Sequence, residues 1–269
     1  MSYKMIVLDL DGTLMSSQNN ILPRTKEALF KAQEAGVTVV LASGRPTYGM
    51  LKAAKELRLH EYPGYLLSYN GGRIISVPTN EMIYDKSLTP EISHELFDLA
   101  REYNLNIMAY EDDKIVTMDD DEYIQKESYI NAMPINRVED FKSALTFNSV
   151  KCLCTGSPEY LAEVELKFKE RVGHKLSIMR SAPFFLEVMP QHISKSYSLQ
   201  KLLDHLGLDV SQMIACGDGY NDLSMIEFAG LGVAMGNAVS EVKEKSNYIT
   251  LSNDEDGIAH VIEKFIFNS

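Results

Sequence analysis

MIVLDLDGTL, residues 5–14, decides how this chain is read. Met5 to Leu8 is a short, unbroken apolar run, the pattern of a strand buried on both faces as in parallel sheets. The run closes on two carboxylates one residue apart, Asp9 and Asp11, with Gly12 and Thr13 behind them as turn formers. Open α/β sheets gather their ligands at the carboxyl ends of strands. The pair therefore reads as a nucleophile and a metal site, with simple turn formation as the alternative. An EF-hand is excluded. Its loop needs glycine at the sixth position and glutamate at the twelfth, whereas here Gly12 is fourth and Asn20 is twelfth.

Working outward, strands and helices alternate. Pro23 opens a helix with Ala28, Leu29, Ala32 and Ala35 on one face and Gly36 at its stop. A second buried strand is expected over 37–42, a helix from Pro46 to about Leu59, and a third strand over 65–69. This rhythm implies parallel βαβ units. It then breaks. Ile74, Ile75, Met82 and Ile83 read as a hairpin, Pro90 starts an amphipathic helix, and paired short strands follow around a helix from Pro158, the signature of an α+β block with an antiparallel sheet. From Ser194 the parallel rhythm resumes, with Leu199, Leu202, Leu203 and Leu206 at core-face spacing and Gly207 as a stop. The expected fold is α/β, a Rossmann-like parallel-sheet core over 1–82 plus 190–269 interrupted by an α+β cap domain at 83–189. The acidic run Asp119 to Glu122 reads as a solvated helix start.

Composition limits the partners. The 269 residues can bury a sizeable core, and 45% hydrophobic with 24% charged residues is a globular balance. Lys and Arg number 26 against 38 acidic residues, a formal charge of −12. That field disfavours nucleic acid and anionic membrane, so an anionic substrate needs a local positive site. The apolar run before Asp9 is too short for a signal-peptide core, and no run reaches the ~18 residues of a membrane helix. A cytoplasmic protein is expected. Cys152, Cys154 and Cys216 lie on predicted strands and read as buried small hydrophobes.

A second acidic cluster, GDGYND with Asp218 and Asp222, also follows an apolar strand in the resumed core. Two carboxylate clusters at strand ends can share one hard cation, and Mg²⁺ suits oxygen ligands and a substrate phosphate. Lys195 stands in the first turn of its helix, where the macrodipole favours an anion over a cation. It makes sense there if it faces an anion; a solvated lysine is the alternative. Ser43 and Gly44 offer a hydroxyl and backbone N–H groups of the kind that cradle phosphate.

DLDGT from Asp9, ASGR around Ser43, Lys195 and GDGYND from Gly217, in this order, resemble the haloacid dehalogenase superfamily of phosphotransferases. The insert, together with SYNGG at Ser68 and FLEVMP at Phe185, is similar to the Cof-type members, sugar-phosphatase-like hydrolases with a large α/β cap. The resemblance spans essentially the whole chain. It implies that Asp9 attacks phosphorus to give an aspartyl phosphate, and that Asp11 protonates the leaving alcohol and then activates water. Mg²⁺ would be held by Asp9, the Asp11 carbonyl and Asp218, with Asp222 anchoring a metal-bound water or a first-turn contact. Ser43, Gly44, the Leu10 N–H, Lys195 and Asn221 would bind phosphoryl oxygens. The substrate would be a small phosphorylated metabolite chosen by the cap.

Two other functions share these residues. A phosphomutase would return the phosphoryl group to sugar, and a phosphate-sensing module would keep it, although Asp11 shortens the lifetime a signal needs. The six histidines lack ligand spacing, and no G-x-S-x-G or Walker loop is present. The identity of the metabolite and the oligomeric state are not written in the sequence.

Overall fold

The computed structural model describes residues 3–268. In chain order the first elements are β1 (Met5–Leu8), α1 (Pro23–Glu34), β2 (Thr38–Ala42), α2 (Thr47–Glu56), β3 (Gly64–Ser68), β4 (Arg73–Ser76) and β5 (Met82–Asp85). Next come α3 (Pro90–Glu102), β6 (Asn106–Glu111), β7 (Lys114–Thr117), α4 (Glu122–Asn131), β8 (Ile135–Arg137), α5 (Phe141–Ala144), β9 (Cys152–Thr155), α6 (Pro158–Val172), β10 (Leu176–Ala182) and β11 (Phe185–Pro190). The chain closes with α7 (Lys195–Leu206), β12 (Met213–Gly217), α8 (Leu223–Phe228), β13 (Leu231–Ala234), α9 (Ser240–Lys245), β14 (Tyr248–Ile249) and α10 (Gly257–Ile262).

These elements form two compact units. The first runs through Arg45, resumes over Met50–Tyr84 and continues from Ser194; the second comprises Pro46–Gly49 and Asp85–Ile193. The first is an α/β unit around an eight-stranded sheet of order β14-β13-β12-β1-β2-β3-β4-β5. Its strands from β14 to β3 are parallel, and β4 turns back antiparallel to β3. β1 is fully buried because both its faces are covered, which is why it reads as a continuous apolar run. Leu8 aligns with Leu41 of β2 and with Cys216 of β12. That register brings the ends of three strands level, so Asp9, Ser43 and Asp218 all leave the sheet at its carboxyl end. The chain passes from β1 to β2 on one side and returns through β12 on the other, and such a reversal of strand order leaves a crevice at the carboxyl ends.

Helix α2 ends at Glu56 rather than near Leu59. Arg58 adopts φ 55°, a left-handed conformation that no α-helix continues through.

The second unit is α+β, with a six-stranded sheet of order β10-β11-β9-β6-β7-β8. It is not wholly antiparallel: β8 runs parallel to β7, with Ile115 opposite Ile135, because α4 carries the chain back between them. Asp121 caps α4, accepting from the Tyr123 and Ile124 N–H groups, so the acidic run is a helix start. One face of the sheet packs Ile107, Ala109, Cys152, Cys154, Leu186 and Val188 under the helices. The alternate residues include a buried ion pair, Lys151 Nζ to Glu187 Oε1 at 2.7 Å. Among the described residues no helix is long and apolar enough to cross a membrane.

Candidate active site

Asp9 leaves β1 with its N–H still on the sheet, bonded to the Cys216 carbonyl at 3.1 Å. The next residues turn sharply. Leu14 N–H reaches back to the Asp9 carbonyl and Met15 N–H to the Leu10 carbonyl. Gly12 makes this turn at φ +83°, and a Cβ there would lie 2.3 Å from Asp218 Oδ2. Only glycine lets the first acidic loop approach the second so closely.

Asp9 is 5% exposed and Asp222 is 1% exposed, and Lys195 lies between them. Ser194 caps α7, accepting from Tyr197 N–H, and so delivers Lys195 at the first helical position. Its Nζ donates to Asp9 Oδ1 and Asp222 Oδ1 at 2.6 Å each and to the Ala42 carbonyl at 2.9 Å. Three acceptors satisfy the ammonium's three donors. Burial opposes its charge, but Asp9 and Asp222 together outweigh that and hold the Lys195 ammonium above the ordinary lysine range. Burial pushes Asp9 up as well; Lys195 pulls it back down toward the ionised form, and the carboxylates of Asp222 and Asp218 add to the rise.

Asp222 has both oxygens engaged. Its Oδ2 accepts from the N–H groups of Asp218 and Gly219 at 2.9 and 3.0 Å, so it fastens the loop and the lysine at once. Asp218 has one oxygen held, Oδ1, by the Thr13 hydroxyl at 2.7 Å. Carboxylate oxygens of Asp9, Asp218 and Asp222 lie within 4.8 Å of one another. Among the described residues, no hydrogen bond ends on Asp9 Oδ2 or Asp218 Oδ2. A cluster of hard oxygen donors that keeps such oxygens open fits a divalent cation of the Mg²⁺ type.

The remaining expected residues gather around this centre. Ser43 is buried, its N–H on the Leu67 carbonyl. Gly44 faces the Asn70 side chain, and Asn70 Oδ1 accepts from Asn221 Nδ2 at 3.2 Å. Asn70 sits at φ 55°, directly after Tyr69 at φ 54°, so two consecutive left-handed residues turn its amide toward Gly44 and Asn221. The side chain of Asp11 does not join the acidic cluster. It is half exposed and paired with Arg45, whose Nε and Nη2 reach its two oxygens at 2.9 and 2.6 Å.

Two of these participants do not stand out in the sequence as site residues: Thr13 reads as a turn former and Asn70 only as part of SYNGG. Their sole signal is position: each lies within a few residues of a motif that ends a core strand. Arg45, just after Ser43, reads as a residue able to face the substrate, but carries no mark of its partner Asp11.

A profile of the haloacid dehalogenase-like hydrolases matches residues 6–262. The chain belongs to that family. A haloacid dehalogenase-like hydrolase from Bacteroides thetaiotaomicron shares 48% identity and superposes with a TM-score of 0.94, covering 98% of this chain and 99% of the other. The subclass IIB sugar phosphatase BT4131 shares 26% identity at a TM-score of 0.78, covering 97% and 98%. Among curated relatives, the 5-amino-6-(5-phospho-D-ribitylamino)uracil phosphatase YcsE of Bacillus subtilis (strain 168) is 30% identical over 98% of this chain and 96% of its own length. This member of the family is a phosphoric monoester hydrolase of the Cof type.

Proposed function

We propose that this hydrolase is a Mg²⁺-dependent phosphatase of small phosphorylated metabolites, sugar phosphates foremost, working through an aspartyl phosphate on Asp9. The observation that carries this reading is the state of Asp9: buried, with one oxygen fixed by Lys195, in a carboxylate cluster with Asp218 and Asp222. A carboxylate so held can present one oxygen in a single direction, which is what in-line attack on phosphorus requires.

In this reading Asp9 and Asp218 hold the metal with the Asp11 carbonyl, and Asp222 acts through the loop it fastens and the lysine it orients. When bound, the metal supplies the positive charge that lets an anion approach a phosphoryl dianion. Ser43, Gly44, the Leu10 N–H and Asn221 bind the phosphoryl oxygens, and Lys195, whose three donors hold Asp9, Asp222 and Ala42, adds its positive charge beside them. The phosphoryl group moves to Asp9 as the P–O bond of the ester breaks, and Asp11 gives its proton to the departing alcohol. Asp11 then takes a proton from the water that attacks phosphorus, which frees Asp9 and inorganic phosphate. The second unit, by its place as an insertion, governs which metabolite is accepted.

The sugar-phosphatase relative supports the choice of substrate class. Free, buried cysteines at 152, 154 and 216 suit a reducing, cytoplasmic setting. The test is phosphate release from a panel of sugar, polyol and nucleotide monophosphates, ranked by kcat/KM with Mg²⁺ and with chelator. Sugar phosphates should lead and the chelator should abolish turnover. Equal rates with chelator would remove the metal, and a nucleotide at the head of the ranking would replace the substrate class.

A further inference from the structure

Asp11 is clamped in this structure. Both of its oxygens accept from the planar fork of Arg45, at 2.6 and 2.9 Å, so the carboxylate is held in the direction of the guanidinium while the clamp holds. The Arg45 backbone cannot move far. Its N–H donates to Ser43 Oγ at 3.2 Å, and its carbonyl accepts from Tyr69 N–H at 3.0 Å. The side chain is the mobile part. The pair is open to water, with the Asp11 side chain 55% and that of Arg45 21% exposed, and a pair of that kind is weakened by solvent.

Arg45 also follows directly on Ser43 and Gly44, the hydroxyl and the N–H assigned to the phosphoryl oxygens. A guanidinium forks a phosphoryl group as readily as a carboxylate. Lys195 cannot take that role alone, because its three donors are already spent on Asp9, Asp222 and Ala42. We infer that Arg45 is a positioning residue that exchanges partners: it forks the Asp11 carboxylate in the substrate-free enzyme and turns to the phosphoryl oxygens when substrate enters, releasing Asp11 to take up a proton from solvent and pass it to the leaving alcohol. Occupancy of the cradle and availability of the acid/base group thereby become one event. The inference rests on the reading of this site as a phosphoryl cradle.

The exchange makes Asp11 and bound phosphate competitors for one guanidinium, and competition is measurable without turnover. Inorganic phosphate is titrated calorimetrically into the Mg²⁺-loaded wild type, Asp11→Ala, Arg45→Met and the double variant. Asp11→Ala should tighten phosphate binding roughly threefold to tenfold by freeing Arg45, and Arg45→Met should weaken it about tenfold. In the Arg45→Met background the gain from Asp11→Ala should vanish. A gain that persists there comes from removing a negative charge near phosphate and overturns the exchange. A purely structural Arg45 would give no gain on removal of Asp11, which also overturns it. Arg45→Lys, which keeps the charge but loses the fork, replaces the methionine variant if that one does not fold, and should show the gain diminished. Wild type that binds no phosphate would overturn the cradle and the exchange with it; intact wild-type binding without coupling overturns the exchange alone.

Discussion

Lys195 Nζ lies 2.6 Å from Asp9 Oδ1, and both side chains are almost wholly withdrawn from water. The lysine is at once the counter-ion that makes a buried carboxylate tolerable and the stop that fixes its direction. Lys195→Met therefore leaves Asp9 and Asp222 facing each other without a cation. Breaking a buried pair by removing one partner costs about 3–5 kcal/mol. The melting temperature should fall accordingly, and kcat should drop by two orders of magnitude or more; a variant of wild-type stability and rate would show that the pair is dispensable.

The cation site should be visible in stability before it is visible in rate. A ligand held only by the folded state adds about 2.7 kcal/mol at one hundred times its dissociation constant. Mg²⁺ should raise the melting temperature of the wild type, and Asp218→Ala should erase most of that shift. An identical shift in the variant would place the metal elsewhere.

Gly12 and Gly36 make a controlled comparison. Both have a positive φ, +83° and +84°, but a Cβ on Gly12 would strike Asp218 whereas nothing lies within 4 Å of the position it would take on Gly36. Gly36→Ala should cost about 1 kcal/mol of stability and leave turnover intact. Gly12→Ala should displace Asp218 and weaken Mg²⁺ activation at least tenfold. Equal effects of the two on activation would remove the close approach as the cause.

Much of this was legible in the sequence, for physical reasons that also mark where reading fails. β1 was readable because a strand buried on both faces must be continuously apolar, and its first polar residues mark its end. Asp9, Ser43, Lys195 and Asp218 could be grouped because each borders a core element with strong periodicity. β8 and α5 were not seen, since three or four residues hold no period to detect. The Arg45–Asp11 fork joins residues 34 apart, and its geometry depends on the register of β1 with β2. Asp222 as an anchor was equally hidden, because only the folded loop shows that both its oxygens are taken.

Lys151 and Glu187 offer the second unit's own test. Their side chains are 4% and 9% exposed at 2.7 Å, and burial opposes the Lys151 charge less than Glu187 and Glu127 favour it, so its pKa is raised. A raised lysine lends stability that is fully present below its unfolded value near pH 10 and is lost as pH rises through the folded value. Lys151→Met should cost about 3–5 kcal/mol at pH 7, and adding Glu187→Leu should recover most of it. A double variant no better than the single one would contradict this account of the pair.

The central claim is that Asp9 carries the phosphoryl group. Acid quench of the enzyme during turnover of a sugar phosphate, reduction with borohydride and peptide mass spectrometry reads that bond directly, because an acyl phosphate is reduced to the alcohol where a free carboxylate is not. The account predicts homoserine at position 9 in the wild type and none without substrate. An unmodified Asp9 in enzyme that was turning over, with reduction at another carboxylate, would contradict it.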